Sequence, residues 1–198
     1  HKVLFMDNKE RELIDIIKKQ EWLMSALEDV RGLKLPDWYV GGGAIRNTVW
    51  DYLHDYPTTS NQNDVDVVYF DINDMEGKKE KTSEQFLKIK SPNLKWEVVN
   101  QARAHLFEHL PGSTFRRPAV KSSCESTAYW SETATCVSVR LETDGNLTVC
   151  APHGLDDLMN LIVRPVPKPY QDLFLYNQRM KDKKWNKFWP KLKIYNKN

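Results

Sequence analysis

The chain has 198 residues, enough for one domain with a sizeable core, and 40% hydrophobic with 28% charged residues is the balance of a globular protein. Seven Trp, eight Tyr and seven Phe exclude a disordered chain, and a net charge of +2 makes no case for a nucleic-acid binder on composition alone. No apolar run reaches membrane length and no signal-peptide pattern precedes the first helix, so the expected location is cytoplasmic, with no membrane partner.

In chain order, Leu13, Ile16, Ile17, Trp22, Leu23, Leu27 and Val30 predict a helix from Lys9 to about Val30, within an N-terminal segment spanning 8–30. Trp38, Tyr39 and Val40 read as a short strand running into Gly41, Gly42 and Gly43, and Ala44 to His54 as a helix with Ile45, Val49 and Leu53 on one face. Asp55 to Asn63 is a polar loop, and Asp64 to Phe70 a strand with Val65, Val67 and Tyr69 opposite the aspartates. A charged helix from Glu76 to about Lys90 precedes a strand from Leu94 to Val99. Gln101 to Leu110 is expected to be helical, and Pro111 to Ser123 a mobile loop.

Thr135 to Leu141 and Asn146 to Ala151 form a hairpin across Asp144 and Gly145, and Gly154 to Leu161 a helix with Asp156 and Asp157 in its first turn. In that register Cys150 faces Val139, so a bridge to Cys136 would require slippage. Three cysteines, an odd count, then point to reduced thiols in a cytosol. The segment 166–198 interleaves Lys181, Lys183, Lys184, Lys187, Lys191, Lys193 and Lys197 with Trp185, Phe188, Trp189 and Tyr195. Two readings stand there: a grip for single-stranded nucleic acid, or a segment docked by its aromatics with solvated lysines outside. Mixed strands and helices with a hairpin favour α/β or α+β architecture, with a core spanning 36–165.

Gly42 and Gly43, between a strand and a helix, offer backbone N–H groups to a phosphate. Asp64 and Asp66 lie roughly 6.6–6.8 Å apart on one strand face. Their hard oxygens suit Mg²⁺ or Mn²⁺, and a cation relieves their mutual repulsion. Arg46, in the first turn, either forks onto a phosphate or pairs with Asp51 or another nearby carboxylate.

Gly42-Gly43-x-Ile45-Arg46-Asn47 followed by Asp64-x-Asp66 resembles the head motif of the polymerase-β-like nucleotidyltransferase superfamily. The glycine-glycine-x-x-arginine form is similar to that of CCA-adding enzymes and bacterial poly(A) polymerases, which usually carry Asp where this chain has Asn47. Leu35-Pro36-Asp37-Trp38, Asn100-Gln101-Ala102-Arg103, Glu132-Thr133-Ala134-Thr135 and Gly154-Leu155-Asp156-Asp157 extend the resemblance to a family of small bacterial nucleotidyltransferase-like proteins over nearly the whole chain.

The resemblance implies a nucleotidyltransferase core, a short mixed sheet flanked by helices, with a third carboxylate on a neighbouring strand. Glu97 is the candidate, as metal ligand or as general base. Arg103 and Arg140 are candidates for triphosphate contacts or for ordinary salt bridges, and Thr133 and Thr135 for ribose, base or capping contacts. The expected function is transfer of a nucleoside monophosphate from a nucleoside triphosphate to an acceptor hydroxyl, with Gly42, Gly43, Arg46 and Arg103 on the nucleotide. Asp64, Asp66 and Glu97 would hold the metal. RNA, a protein side chain and a small molecule are all compatible acceptors, and a non-catalytic nucleotide- or metal-binding module is the alternative.

Overall fold

The computed structural model describes residues 7–56 and 64–195. Its centre is a five-stranded sheet in the order β3-β2-β1-β4-β5. The strands are β1 (Tyr39–Gly41), β2 (Asp64–Tyr69), β3 (Lys95–Asn100), β4 (Ser138–Leu141) and β5 (Leu147–Cys150). Neighbours pair antiparallel except β2 and β3, which are parallel and joined through the crossover helix α4 (Lys78–Lys90).

Alternation along β2 sorts its side chains. Val65, Val67 and Tyr69 are fully buried on one face with Trp96 and Val98 of β3, and Asp64 and Asp66 stand on the other. The apolar face packs under α1 (Asn8–Lys18), α2 (Glu21–Gly32) and α3 (Gly43–Leu53), which supply Leu13, Ile17, Leu23, Leu27 and Ile45 to the same core. Charged α4 buries Leu87 and spends two glutamates on the outer strand: Glu80 accepts from the Asn100 N–H at 2.9 Å and Glu84 from the Val98 N–H at 3.4 Å.

The single helix expected from Lys9 to Val30 is two helices, broken at Lys19 and Gln20. Gln20 is extended (φ −99°, ψ 97°) and stands where the apolar stripe would need a hydrophobic residue. The helix expected over Gln101–Leu110 is a single 3₁₀ turn, Ala104–Leu106. Here the backbone is tied to the sheet: the Gln101 N–H donates to Tyr69 O at 2.7 Å, and the buried Asn100 side chain accepts from the Ala102 N–H at 3.1 Å. The polar loop expected at 55–63 falls outside the described residues from 57 onward.

The hairpin closes through three residues, with Gly145 at φ +84° and the Glu142 N–H donating to Asn146 O at 2.8 Å. That extra residue sets Cys150 opposite Ser138 instead of Val139. The expectation of three reduced thiols is also corrected. Cys124, on α5 (Ser123–Thr127), forms a disulfide with Cys150 across a Cα separation of 5.7 Å, and Cys136 is buried and free. The argument from thiols to a cytosolic location therefore loses its footing.

After the short α6 (Asp156–Met159), β6 (Ile162–Val163) pairs in parallel with β7 (Lys193–Ile194), tying the C-terminal segment back onto the body. Between them α7 (Leu173–Lys183) is capped by Asp172, whose side chain accepts from the Leu175 N–H. Trp185 and Trp189 are buried against Trp50 at ring-centroid distances of 5.3 and 5.1 Å, edge to face, each pair adding about 0.5–1.5 kcal/mol beyond its burial. Trp189 Nε1 donates to Asp51 Oδ1 at 2.8 Å. The lysines from Lys181 to Lys193 are exposed, so the aromatics dock the segment and the charges face solvent; Lys197 lies outside the described residues. Among the described residues no helix is long and apolar enough to cross a membrane.

Candidate functional site

β1 enters α3 through Gly42 at φ +62°, ψ −129°, a conformation essentially reserved for glycine. A Cβ there would also lie 2.9 Å from Asp66 Oδ2, so the bend and the acid press directly on one another. Register aligns Gly41, Asp66 and Glu97 in one row across β1, β2 and β3, which puts both acids on the same sheet face. Gly41 is bare because Trp130 and Ser138 fill the space, each within 2.7 Å of where a Cβ would stand. The expected phosphate cradle is narrower than the sequence suggests. The Gly42 N–H already donates to Val137 O at 3.2 Å, which leaves the first-turn amides from Gly43 onward, where no side chain caps α3.

The row opens onto a cleft of about 960 Å³. Asp64, Asp66 and Glu97 of the sheet form its acidic wall, Gly42 and Gly43 the bend beside them, and Arg46, Arg179 and Trp185 a basic and aromatic wall. Burial pushes the Asp66 carboxyl up to about 6, helped by the negative charges of Glu97 and Asp64. Glu97 is raised too, by its burial and then by Glu108, Glu84 and Asp64. Asp64 is largely exposed, 3.9 Å from Lys95.

Among the described residues no three His, Cys, Asp or Glu side chains converge tightly enough to grip an ion as they stand. The chemistry of the acidic wall nevertheless fits a hard divalent cation. Its donors are all carboxylate oxygens, and the repulsion that raises Asp66 is what such an ion would relieve.

Arg46 is buried and ordered on all sides. Its Nη1 donates to Thr135 Oγ1 at 2.9 Å, and its Nε and Nη2 to Asn47 Oδ1 at 3.1 and 2.9 Å. The guanidinium lies 4.3 Å from the Trp185 ring centroid and 5.0 Å from that of Trp50. Burial lowers it to about 10, Glu132 and Asp66 pull it back up, and Arg179 works against it. The carboxylate that chiefly balances Arg46 is thus Glu132, not the Asp51 considered from sequence.

Glu132 has no exposed surface and accepts from Arg179 Nε at 2.6 Å, Arg179 Nη2 at 3.2 Å and Thr135 Oγ1 at 2.6 Å. Its burial alone would raise the carboxyl, but the charge and hydrogen bonds of Arg179, then Arg46 and Thr135, outweigh it and hold it low. Two guanidiniums therefore share one carboxylate beside the cleft.

Of the residues singled out from sequence, Gly42, Gly43, Arg46, Asp64, Asp66 and Glu97 come together, joined by Thr135. Arg103 does not. It pairs with Glu80 at 2.8 Å and donates to Met75 O at 3.0 Å, behind β3. Arg140 pairs with Glu142 and lies over Tyr39, and Thr133 donates to Asp157 Oδ2 at 2.6 Å. Sequence reasoning missed Glu132 as a site residue, along with Arg179 and Trp185. The available signal was a lone charge in the stretch from Tyr129 to Val137, and Leu175, Arg179 and Lys183 spaced i, i+4, i+8 on one helix face.

Comparison with known proteins follows this geometry. A nucleotidyltransferase family model matches residues 28–194, most of the chain, and the chain belongs to that family. An NMR structure described as revealing a CCA-adding enzyme head domain is 27% identical with a TM-score of 0.79, over 94% of this chain and 96% of that one. A CCA-adding enzyme in complex with ATP shares the fold at 12% identity and a TM-score of 0.55, over 96% of this chain and 43% of that one. The Thermotoga maritima CCA-adding enzyme complexed with tRNA does so at 13% identity and a TM-score of 0.52, over 94% and 42%. The chain thus spans less than half the length of these two enzymes. No curated protein matches it.

Proposed function

We propose that this member of the nucleotidyltransferase family moves a nucleoside monophosphate from a nucleoside triphosphate onto an acceptor hydroxyl. The observation that carries the reading is the row of Asp66 and Glu97 against the Gly42 bend, in one cleft of nucleotide size with buried Arg46. The acceptor oxygen forms a bond to the α-phosphorus, the α–β anhydride bond breaks, and pyrophosphate leaves with the electron pair. Glu97, already raised by its surroundings, takes the hydroxyl proton. Gly43, the amides that follow it and Arg46 hold phosphate oxygens. Asp64 and Asp66, with Glu97 beside them, would hold Mg²⁺ or Mn²⁺, which would supply Lewis-acid stabilisation of the phosphoryl charge and lower the pKa of the attacking hydroxyl.

For the acceptor, the reading favours RNA over a protein side chain or a small molecule. Exposed lysines surround α7, Lys183 and Phe188 line the cleft, and the Thermotoga maritima relative binds tRNA. Replacing Lys181, Lys184 and Lys187 with Gln should weaken RNA binding and flatten its salt dependence; unaltered binding would return the acceptor to the other two classes.

The central test incubates the protein and cell extract with each labelled triphosphate and follows label transfer and pyrophosphate release. Asp64→Asn with Asp66→Asn should lower transfer by about a thousandfold or more, since several kcal/mol of charge stabilisation is removed. Retained turnover in a folded double variant would remove this mechanism.

A further inference from the structure

We infer that Arg179 and Lys183, on the cleft-facing row of α7, bind the phosphates that depart as pyrophosphate, making the C-terminal helix the second half of the phosphate site. The inference rests on the nucleotidyltransferase reading and adds to it a wall that the glycine motif does not contain.

Three observations support it. First, Leu175, Arg179 and Lys183 lie i, i+4, i+8 on α7 and all line the cleft, so two successive turns present cations to the same space. Lys183 is exposed and Arg179 is about a quarter exposed, so both can meet a ligand.

Second, positive charge gathers on this side of the cleft. Arg46, Arg179 and Lys183 all line it, and Glu132 accepts from Arg179 while acting on Arg46 only through space and through Thr135. Asp64, Asp66 and Glu97 bring negative charge to the same cleft. A polyanion entering with a divalent cation satisfies both walls together, where either alone would leave one of them unmatched.

Third, a buried polar group there lacks a partner among the described residues. The hydroxyl of Ser131, beside Glu132 in sequence and lining the cleft, is buried without a partner. Buried polar groups are rarely left this way unless a ligand or water completes them.

Glu132 is then a positioning residue. Its bidentate grip fixes the Arg179 fork, and its bond from Thr135 fixes the oxygen that receives Arg46. Trp185 packs flat space between the two guanidiniums, 4.3 Å from Arg46 and 5.5 Å from Arg179.

The experiment titrates the full chain with inorganic pyrophosphate and Mg²⁺ by calorimetry, with circular dichroism as the check on folding. Lys183→Ala, which touches no buried partner, should weaken binding severalfold. Arg179→Lys keeps a charge on Glu132 but loses the fork, and should weaken it about tenfold. In any acceptor assay the same variants should raise KM for the triphosphate more than they lower kcat, a split that a purely structural role would not produce. Wild-type affinity in both folded variants overturns the inference and leaves the nucleotidyltransferase reading standing. Absence of pyrophosphate binding in the wild type overturns it as well. Pyrophosphate binding sensitive to both variants, in a protein that labels no acceptor, supports the anion site and counts against the transferase reading alone.

Discussion

The two walls of the cleft differ in origin and in electrostatic state. The acidic wall is one patch of sheet: Asp64, Asp66 and Glu97 need only β2 and β3 in register to meet. The opposite wall is gathered from distant parts of the chain, with Arg46 on α3, Glu132 and Thr135 ahead of β4, and Arg179 on α7. Burial and its neighbours Glu97 and Asp64 raise Asp66, and Arg46 and Arg179 offset this only in part, whereas Arg179 is bound by both its fork nitrogens to Glu132 and Arg46 reaches that carboxylate through Thr135. One wall is a cost that the free protein carries. The other contributes to the fold before any ligand is present.

Four measurements sharpen or break this contrast. The largest effect is expected from Glu132→Ala, which strands two guanidiniums in a buried site and should destabilise the protein by about 3–5 kcal/mol in urea unfolding. A loss under about 1 kcal/mol would mean that the arginine wall does not support the fold.

Next, Asp66→Asn should act in the opposite direction in metal-free protein. The native carboxyl sits at about 6 against an ordinary 3.8, so the native state holds that proton more tightly than the unfolded chain. Stability on its account is greatest below 3.8, is lost as pH rises through 6, and the cost is complete above about pH 7. At pH 8 the variant should therefore gain up to about 3 kcal/mol, and the gain should vanish near pH 3.5. Added Mg²⁺ or Mn²⁺ should narrow the gap by stabilising only the wild type. A variant no more stable at pH 8 would contradict the strained-acid account.

Gly42→Ala should cost about 1–3 kcal/mol through its backbone angle and displace Asp66 as well, so activity should fall further than stability predicts. Equal losses in both would separate the bend from the acids. The smallest effect is expected behind β3. Glu80→Gln weakens the contacts to Asn100 and Arg103 and should cost about 0.5–1.5 kcal/mol with transfer unchanged, serving as the control outside both walls.

The acidic wall was legible because it is written locally. Asp-x-Asp in a run of Val and Tyr carries its own periodicity, and the family resemblance, with strand character around Glu97, pointed to that residue as a third carboxylate. Arg179 and Glu132 lie 47 positions apart, and no local pattern joins them. The long N-terminal helix failed where Gln20 interrupts an otherwise continuous stripe, and the helix after β3 failed where bonds anchoring Asn100 and Gln101 to the sheet overrode propensity. Arg103 was drawn to the phosphates by its neighbours in sequence, yet the chain turns after β3 and delivers it to Glu80. The disulfide was missed because Cys150 was weighed only against Cys136 in the hairpin, whereas its partner Cys124 comes from α5, 26 positions away.

The glutamates that α4 lends to β3 also govern how copies of this chain can meet. With the Val98 and Asn100 amides engaged, that margin offers no template for another strand. The order of the sheet leaves β5 as the other margin, with no strand beyond it. Within the described five-stranded sheet, backbone pairing with another copy, whether an orderly dimer or a cross-β aggregate, would therefore start at Leu147–Cys150.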